Sequence, residues 1–191
     1  MHVQRIWVGP VHSGKSTHAC IMAERLRLRG HDVVLVRPHK SVRSSEIRGD
    51  RPGMLVTKTG HKFPSIEITS AREIRDAAEG STVIWVDEPF MLEHQDELHG
   101  ILHEQRAERA VHISTLSATN DMVCISGQIA HLLSVSDEII HCKADCEYCN
   151  AMGVATRSIY VGQAPKTGKV KVGGASDYKA ACPPCWREHG P

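Results

Sequence analysis

The sequence predicts an α/β fold: a parallel sheet flanked by helices, followed by a small C-terminal module held by a metal ion. Three observations carry that expectation. Short β-branched runs alternate with longer helical patterns over the first two thirds of the chain, as in a parallel sheet covered on both faces. A glycine-rich loop joins the first strand to the first helix. Two C-x-x-C pairs, Cys146/Cys149 and Cys182/Cys185, mark the C-terminal part.

The elements follow in order. Ile6, Trp7 and Val8 form a short apolar run before the glycine-rich loop and read as a buried strand. Residues 16–29 follow as a helix, because Ala19, Met22, Ala23 and Leu26 recur on one face, and Gly30 supplies the stop. Residues 33–36 are the next strand, halted by Arg37-Pro38. Residues 39–53 are polar and contain Gly and Pro, so they read as a loop. Residues 54–68 have room for a pair of short strands around Thr59-Gly60. Ser70 with Glu73 makes a capping box for a helix over 71–78. Residues 83–86 are a wholly apolar strand with Asp87-Glu88 at its C-terminal end. A helix over 92–109 and a strand over 111–116 complete the repeating unit, and another helix covers 125–133. At Cys142 the pattern changes to Cys, Gly, Lys and short β-like runs at 157–161 and 170–172. The expected division is therefore a core at 1–141 and a zinc-binding module at 142–191.

Bulk properties narrow the function classes. With 191 residues the chain is long enough for one well-cored domain and a small appendage. A formal net charge of +1 leaves no basic stripe for nucleic acid, and 4% aromatic residues leave few stacking candidates. No apolar stretch reaches the roughly 20 residues of a membrane helix, and the N-terminus enters a strand too soon for a signal peptide. The expectation is a cytoplasmic protein with no membrane or nucleic-acid partner. Its seven cysteines then serve a metal or remain inert thiols rather than disulfides.

Gly9-Pro10-Val11-His12-Ser13-Gly14-Lys15-Ser16, followed by Thr17, fits G-x-x-x-x-G-K-[ST] in full. Glycines let successive backbone N–H groups turn inward as an anion nest, and the next helix adds its positive end. Lys15 then reaches the terminal phosphates of ATP, and Ser16 ligands Mg²⁺. The bland alternative is a glycine-rich turn that merely carries Lys and Ser; the strand before it and the helix after it argue against that. A carboxylate ending a parallel strand lies beside such a loop, so Asp87 suits the Mg²⁺ shell and Glu88 suits a substrate hydroxyl. Two solvated acids opening a loop are the competing reading.

Paired C-x-x-C turns can point four thiolates at one tetrahedral ion, so Cys146, Cys149, Cys182 and Cys185 read as a structural Zn²⁺ site. A redox role is the weaker alternative. Cys20, Cys124 and Cys142 read as core or neutral thiols, with Cys142 near enough to stand in as a ligand. Of the 13 histidines only His12 draws a role, as a neighbour of nucleotide or substrate. The others read as surface or helix-face residues.

These motifs together resemble the zinc-lasso thymidine kinase family, along nearly the whole chain. GPVHSGKST resembles the family's GPMFSGKST, VIWVDE its strand ending in Asp-Glu, and VGGASDYKAAC its Gly-Gly-Ala-x-x-Tyr segment before the third cysteine. The resemblance implies a P-loop NTPase-like core with a zinc lasso, and a homotetramer. It implies a kinase that moves the γ-phosphate of ATP to a nucleoside 5′-hydroxyl, with Glu88 as base and Lys15, Ser16 and Asp87 on ATP and Mg²⁺. It places Phe90, Leu116, Asn120, Thr156, the backbone of Val172, Gly173 and Gly174, and Tyr178 around the nucleoside. Arg51 matches an arginine of the family's mobile loop.

Departures fall on the nucleoside side. The family's x-Gln-Phe after Asp-Glu is Pro89-Phe90-Met91 here, and its Leu-Asp-x-x-Phe is Leu116-Ser117-Ala118-Thr119-Asn120. Its Pro-Phe-Gly becomes Ile125-Ser126-Gly127, and the loop methionine is Val11. Fewer aromatic faces remain to hold a base. The expected substrate is thymidine or a related pyrimidine deoxynucleoside, a 5-modified one included. The alternatives are a kinase for a modified pyrimidine within DNA, a nucleotide-binding regulator without turnover, and a zinc-ribbon nucleic-acid binder.

Overall fold

The computed structural model describes residues 2–41, 53–118, 126–162 and 177–191. In chain order these form β1 (Gln4–Gly9), α1 (Lys15–Arg27), β2 (Val33–Pro38), β3 (Met54–Val56), β4 (Lys62–Pro64), β5 (Ile66–Ile68) and α2 (Ile74–Ala77). Then come β6 (Val83–Asp87), α3 (Leu98–Glu108), β7 (Ala110–Leu116), α4 (Gly127–Val135), β8 (Glu138–His141), β9 (Arg157–Tyr160), β10 (Tyr178–Ala181) and α5 (Pro183–His189).

One six-stranded sheet runs in the order β5-β2-β6-β7-β1-β8, with every neighbouring pair parallel. Successive side chains of a strand point to opposite faces, and the sequence uses both. Ile6, Val8, Val36, Ile84, Val86 and Ile113 face Ile74 of α2, Leu98, Ile101 and Leu102 of α3, and Ile129 and Leu132 of α4. Their alternates Trp7, Leu35 and Trp85 face Ala19, Cys20 and Ala23 of α1, with Leu55 and Phe63 from the antiparallel β3–β4 pair. The expected helix-covered parallel sheet of a P-loop NTPase-like fold is thus present. It brings the C-terminal ends of β1, β6 and β7 to one edge, where ligands bind in such sheets.

Several expected boundaries need correction. α1 covers Lys15–Arg27 and not 16–29; the chain then turns through Gly30 at φ 86°. The helix expected over 92–109 begins only at Leu98. Glu93 instead pairs with the neighbouring loop, its N–H donating to Thr69 O and its carbonyl accepting from Ala71 N. His94 follows in a left-handed conformation at φ 53°, which no helix interior accommodates. The capping box on Ser70 and Glu73 is present, though it opens a 3-10 turn that passes into α2. α4 runs Gly127–Val135 under a Ser126 cap rather than 125–133. β8, β10 and α5 have no counterpart among the sequence expectations. The run expected at 170–172 lies outside the described residues, as do Arg51 and Cys124.

β9 and β10 form an antiparallel pair, against which α5 packs. Their shared core is Ala144, Cys146, Ala155, Ile159, Ala180, Ala181, Cys182 and Cys185. No helix among the described residues is long and apolar enough to cross a membrane.

Candidate active site

Gly9 ends β1 where the chain near Cys142 crosses it. A Cβ at Gly9 would fall on the Cys142 carbonyl and against Ser13 Oγ, so only glycine fits. The loop then turns through His12 at φ 62° and Gly14 at φ 78°, both left-handed, before α1 begins at Lys15. Such positive-φ residues direct neighbouring N–H groups into one concavity. The Lys15 ammonium folds back over this loop, donating to Gly9 O (3.1 Å), Pro10 O (2.6 Å) and Ser13 Oγ (3.1 Å). Burial lowers the Lys15 pKa, while the charges of Glu88 and Asp87 pull it the other way. Thr17 meets Thr59 of the β3–β4 turn at 3.1 Å, tying the first turn of α1 to that hairpin.

Asp87 closes β6. Its Oδ2 lies 3.4 Å from Ser16 Oγ, and its Oδ1 accepts from Ser114 Oγ on β7. Ser114 in turn accepts from Trp85 Nε1 at 3.1 Å, so its hydroxyl hydrogen is left for Asp87. Burial pushes the Asp87 carboxyl up, against the Ser114 hydrogen bond, the Lys15 charge and Ser16. Glu88 follows at φ 50°, half-buried, with its N–H anchored on Ser114 O at 2.8 Å. The structure therefore brings Lys15, Ser16, Asp87 and Glu88 together. Ser114 is a residue that sequence reasoning missed; the signal for it was a Ser-Thr pair at the end of a strand that also carries His112.

The candidate nucleoside residues are less uniform. Phe90 is buried in the main core, and Leu116 is half-buried against it. Thr156 is exposed, with its N–H on Ala181 O. Tyr178 opens β10 opposite Tyr160, the two rings edge-to-face at 5.2 Å. Asn120, Val172, Gly173 and Gly174 lie outside the described residues. The histidine expectation needs one correction. His112 is buried, with ring centroids 5.3 Å from Trp7 and 5.2 Å from Trp85, because β7 turns it into the α1 face of the sheet.

The sulfurs of Cys146, Cys149, Cys182 and Cys185 all lie within 4.8 Å of one another. A tetrahedral ion with bonds of about 2.3 Å sets its sulfurs about 3.8 Å apart, and Cys149 and Cys182 stand at 3.8 Å. Burial raises the Cys146 thiol, but N–H groups of Cys182, Cys149 and Tyr148 more than offset it and bring it to about 6. Four thiols gathered at this spacing fit Zn²⁺. Cys142 is not among them: its N–H pairs with Val8 O, its side chain packs with the Trp7 cluster, and burial raises its pKa. Cys20, on α1, is buried in the cluster with Trp7 and Trp85, and burial pushes it up to about 12, a neutral thiol as expected.

Comparison with known proteins completes the picture. The solved FlaH, a flagellar accessory protein from Methanocaldococcus jannaschii, has a TM-score of 0.51 and 13% identity, covering 73% of this chain and 70% of that one. That likeness concerns the fold alone. AMPPCP-bound DnaA from Aquifex aeolicus gives a TM-score of 0.46 at 13% identity over 77% of this chain; the chain spans 42% of that protein. A protein named thymidine kinase from Acanthamoeba polyphaga mimivirus is 23% identical over 188 residues, covering 95% of this chain and 80% of its own length. The thymidine kinase family model matches residues 2–186. With the phosphate loop, the acid pair and the four cysteines all within that span, the chain belongs to the thymidine kinase family of phosphotransferases.

Proposed function

We propose that this chain transfers the γ-phosphate of ATP to the 5′-hydroxyl of thymidine or a related pyrimidine deoxynucleoside, a 5-modified one included. One observation supports it above the rest: Lys15 at the end of the β1 loop feels the charges of both Asp87 and Glu88 at the end of β6. In this reading, backbone N–H groups of residues 9–17 cradle the triphosphate. Lys15 exchanges the Gly9 and Pro10 carbonyls for phosphate oxygens. Ser16 and Asp87 hold Mg²⁺, which when bound neutralises charge on the β- and γ-phosphates. Glu88 takes the hydroxyl proton as the nucleoside oxygen bonds to the γ-phosphorus and the bond to the ADP oxygen breaks.

Residues 142–191 then act as a zinc-held cover, with Thr156, Tyr178 and the 172–174 backbone on the base, and Phe90, Leu116 and Asn120 on the core side. Closing it excludes water from the phosphate. Homotetramers in the cytoplasm are part of the same proposal, by resemblance to the family.

The test is a panel of nucleosides with labelled ATP, run on the wild type and on Glu88→Gln. Loss of a general base lowers kcat by about 10²–10⁴-fold with ATP affinity kept; an unchanged kcat overturns the role of Glu88. Turnover highest on thymidine or highest on a 5-modified pyrimidine decides between the two members of that class, and turnover confined to purine nucleosides overturns the pyrimidine assignment. ATP binding with no transfer to any nucleoside favours the regulator instead.

A further inference from the structure

His12 is the strained point of the phosphate loop. Its φ of 62° is a left-handed backbone that glycine adopts freely and a residue with a Cβ does not. Such strain persists only where the surroundings hold it. What holds His12 comes from 135 residues away: its Nδ1–H donates to Glu147 Oε2 at 2.9 Å. That same oxygen accepts the Ala180 N–H at 2.5 Å, and Glu147 N–H donates to Ala180 O at 2.9 Å. Glu147 is therefore fixed between Cys146 and Cys149 on one side and the strand leading to Cys182 on the other. One residue earlier, Val11 N–H donates to Ser158 Oγ at 3.0 Å, and its side chain packs on the cysteine module's core.

As a stabilising ion pair, this contact is minor. The His12 and Glu147 side chains are 18% and 38% exposed, and pairs of that kind add little to the stability of the fold. Its position is more telling than its energy. The contact acts on the one non-glycine residue whose left-handed backbone shapes the anion nest.

We propose that Glu147 is a positioning residue for phosphate binding: it holds the His12 backbone in the left-handed form, so the cysteine module sets how well the loop grips a triphosphate. The proposal rests on residues 9–17 being the ATP cradle.

The experiment is calorimetric titration of ATP with Mg²⁺ into the full-length, zinc-loaded protein, with zinc stoichiometry measured on every variant. Glu147→Ala weakens ATP binding about five- to tenfold, the scale of left-handed strain in a residue with a Cβ, with zinc retained. Glu147→Gln, which keeps an acceptor, retains most of the affinity. The decisive pair is made on the Glu147→Ala background: adding His12→Gly recovers at least fivefold in affinity, whereas adding His12→Ala recovers none. From the loop side, with the module untouched, His12→Gly alone binds at least fivefold tighter than His12→Ala alone. Equal affinities for the glycine and alanine variants overturn the proposal, as does wild-type affinity in zinc-retaining Glu147→Ala. A wild type that binds no ATP overturns the cradle reading itself, and this proposal with it.

Discussion

The phosphate loop and the cysteine module touch at Val11 and His12, yet they are built by opposite means. The loop hangs from a sheet buried on both faces, whose main core is dominated by Ile, Leu and Val. The module's core holds four alanines, three cysteines and a single large aliphatic, Ile159. Burying alanine removes little apolar area, so such a core yields little hydrophobic stabilisation. Units this small ordinarily need a metal or disulfides to fold. Shape on the phosphate side comes from packing; on the cysteine side, a core this thin leaves it to an ion such as Zn²⁺ that the four clustered thiols could hold.

The largest test of that contrast is metal removal. A structural Zn²⁺ contributes on the order of 10 kcal/mol of apparent binding free energy, most of it folding energy. Chelation, or Cys182→Ser, should release residues 142–162 and 177–191 while leaving β1, β6 and β7 in place. Hydrogen exchange should show amides of the first two segments losing protection and those of the sheet keeping it. Uniform loss across both regions, or none in either, would break the comparison.

The phosphate side carries its own weakness, about 3 kcal/mol in size. His112 is held between Trp7 and Trp85, and burial, helped by the Arg5 charge, lowers its pKa to about 4. Its ordinary value is 6.5. Between pH 6.5 and 4 the unfolded chain therefore binds a proton that the folded one refuses. The stability from keeping His112 neutral is complete above pH 6.5 and drains away as pH falls through 4. At about 1.4 kcal/mol per pKa unit, the loss reaches about 3 kcal/mol. Denaturant unfolding of the sheet across that range should show it, and His112→Phe should flatten that slope. A slope unchanged in the variant would place the acid sensitivity elsewhere.

His112 also shows where the sequence stops being legible. Runs such as 83–86, apolar throughout, announce their strands because both faces are buried. The phosphate loop is legible because its glycines answer geometric needs: Gly9 a crossing chain, Gly14 a positive φ. The cysteine pairs are legible because a tetrahedral ion would need that spacing, and the four sulfurs do gather within 4.8 Å of one another. A histidine in β7 gives no such sign, since its burial depends on two tryptophans from other strands. β8 was equally silent: its side chains are mostly exposed, and only backbone pairing with β1 makes it a strand. α3 was read too long because Leu92 fits the helical period; the bridge from Glu93 to the 69–71 loop competes for the same backbone and wins. Ser114 and Glu147 were illegible as site residues for one shared reason. Each acts through a partner far away in the chain, Ser114 on Asp87 and Glu147 on His12.

The finest probe lies within the module. The Arg157 guanidinium sits 5.0 Å from the centre of the Trp186 ring, joining the start of β9 to α5. Such contacts are worth about 0.5–1 kcal/mol near a surface. In a well-cored domain, the loss would show as a small drop in global stability. Here it should appear elsewhere. If the unfolded module offers no preformed site, any contact that folding creates is felt as metal affinity. Arg157→Ala should therefore weaken zinc binding about two- to fivefold in competition with a chelating dye. The unfolding midpoint of the sheet should not move. Arg157→Lys, which keeps the charge but not the flat stacking surface, should fall between the two. Should Arg157→Ala instead lower the sheet's midpoint and spare zinc affinity, the two regions fold as one body. The metal would then add stability to the whole chain rather than shape to a part of it.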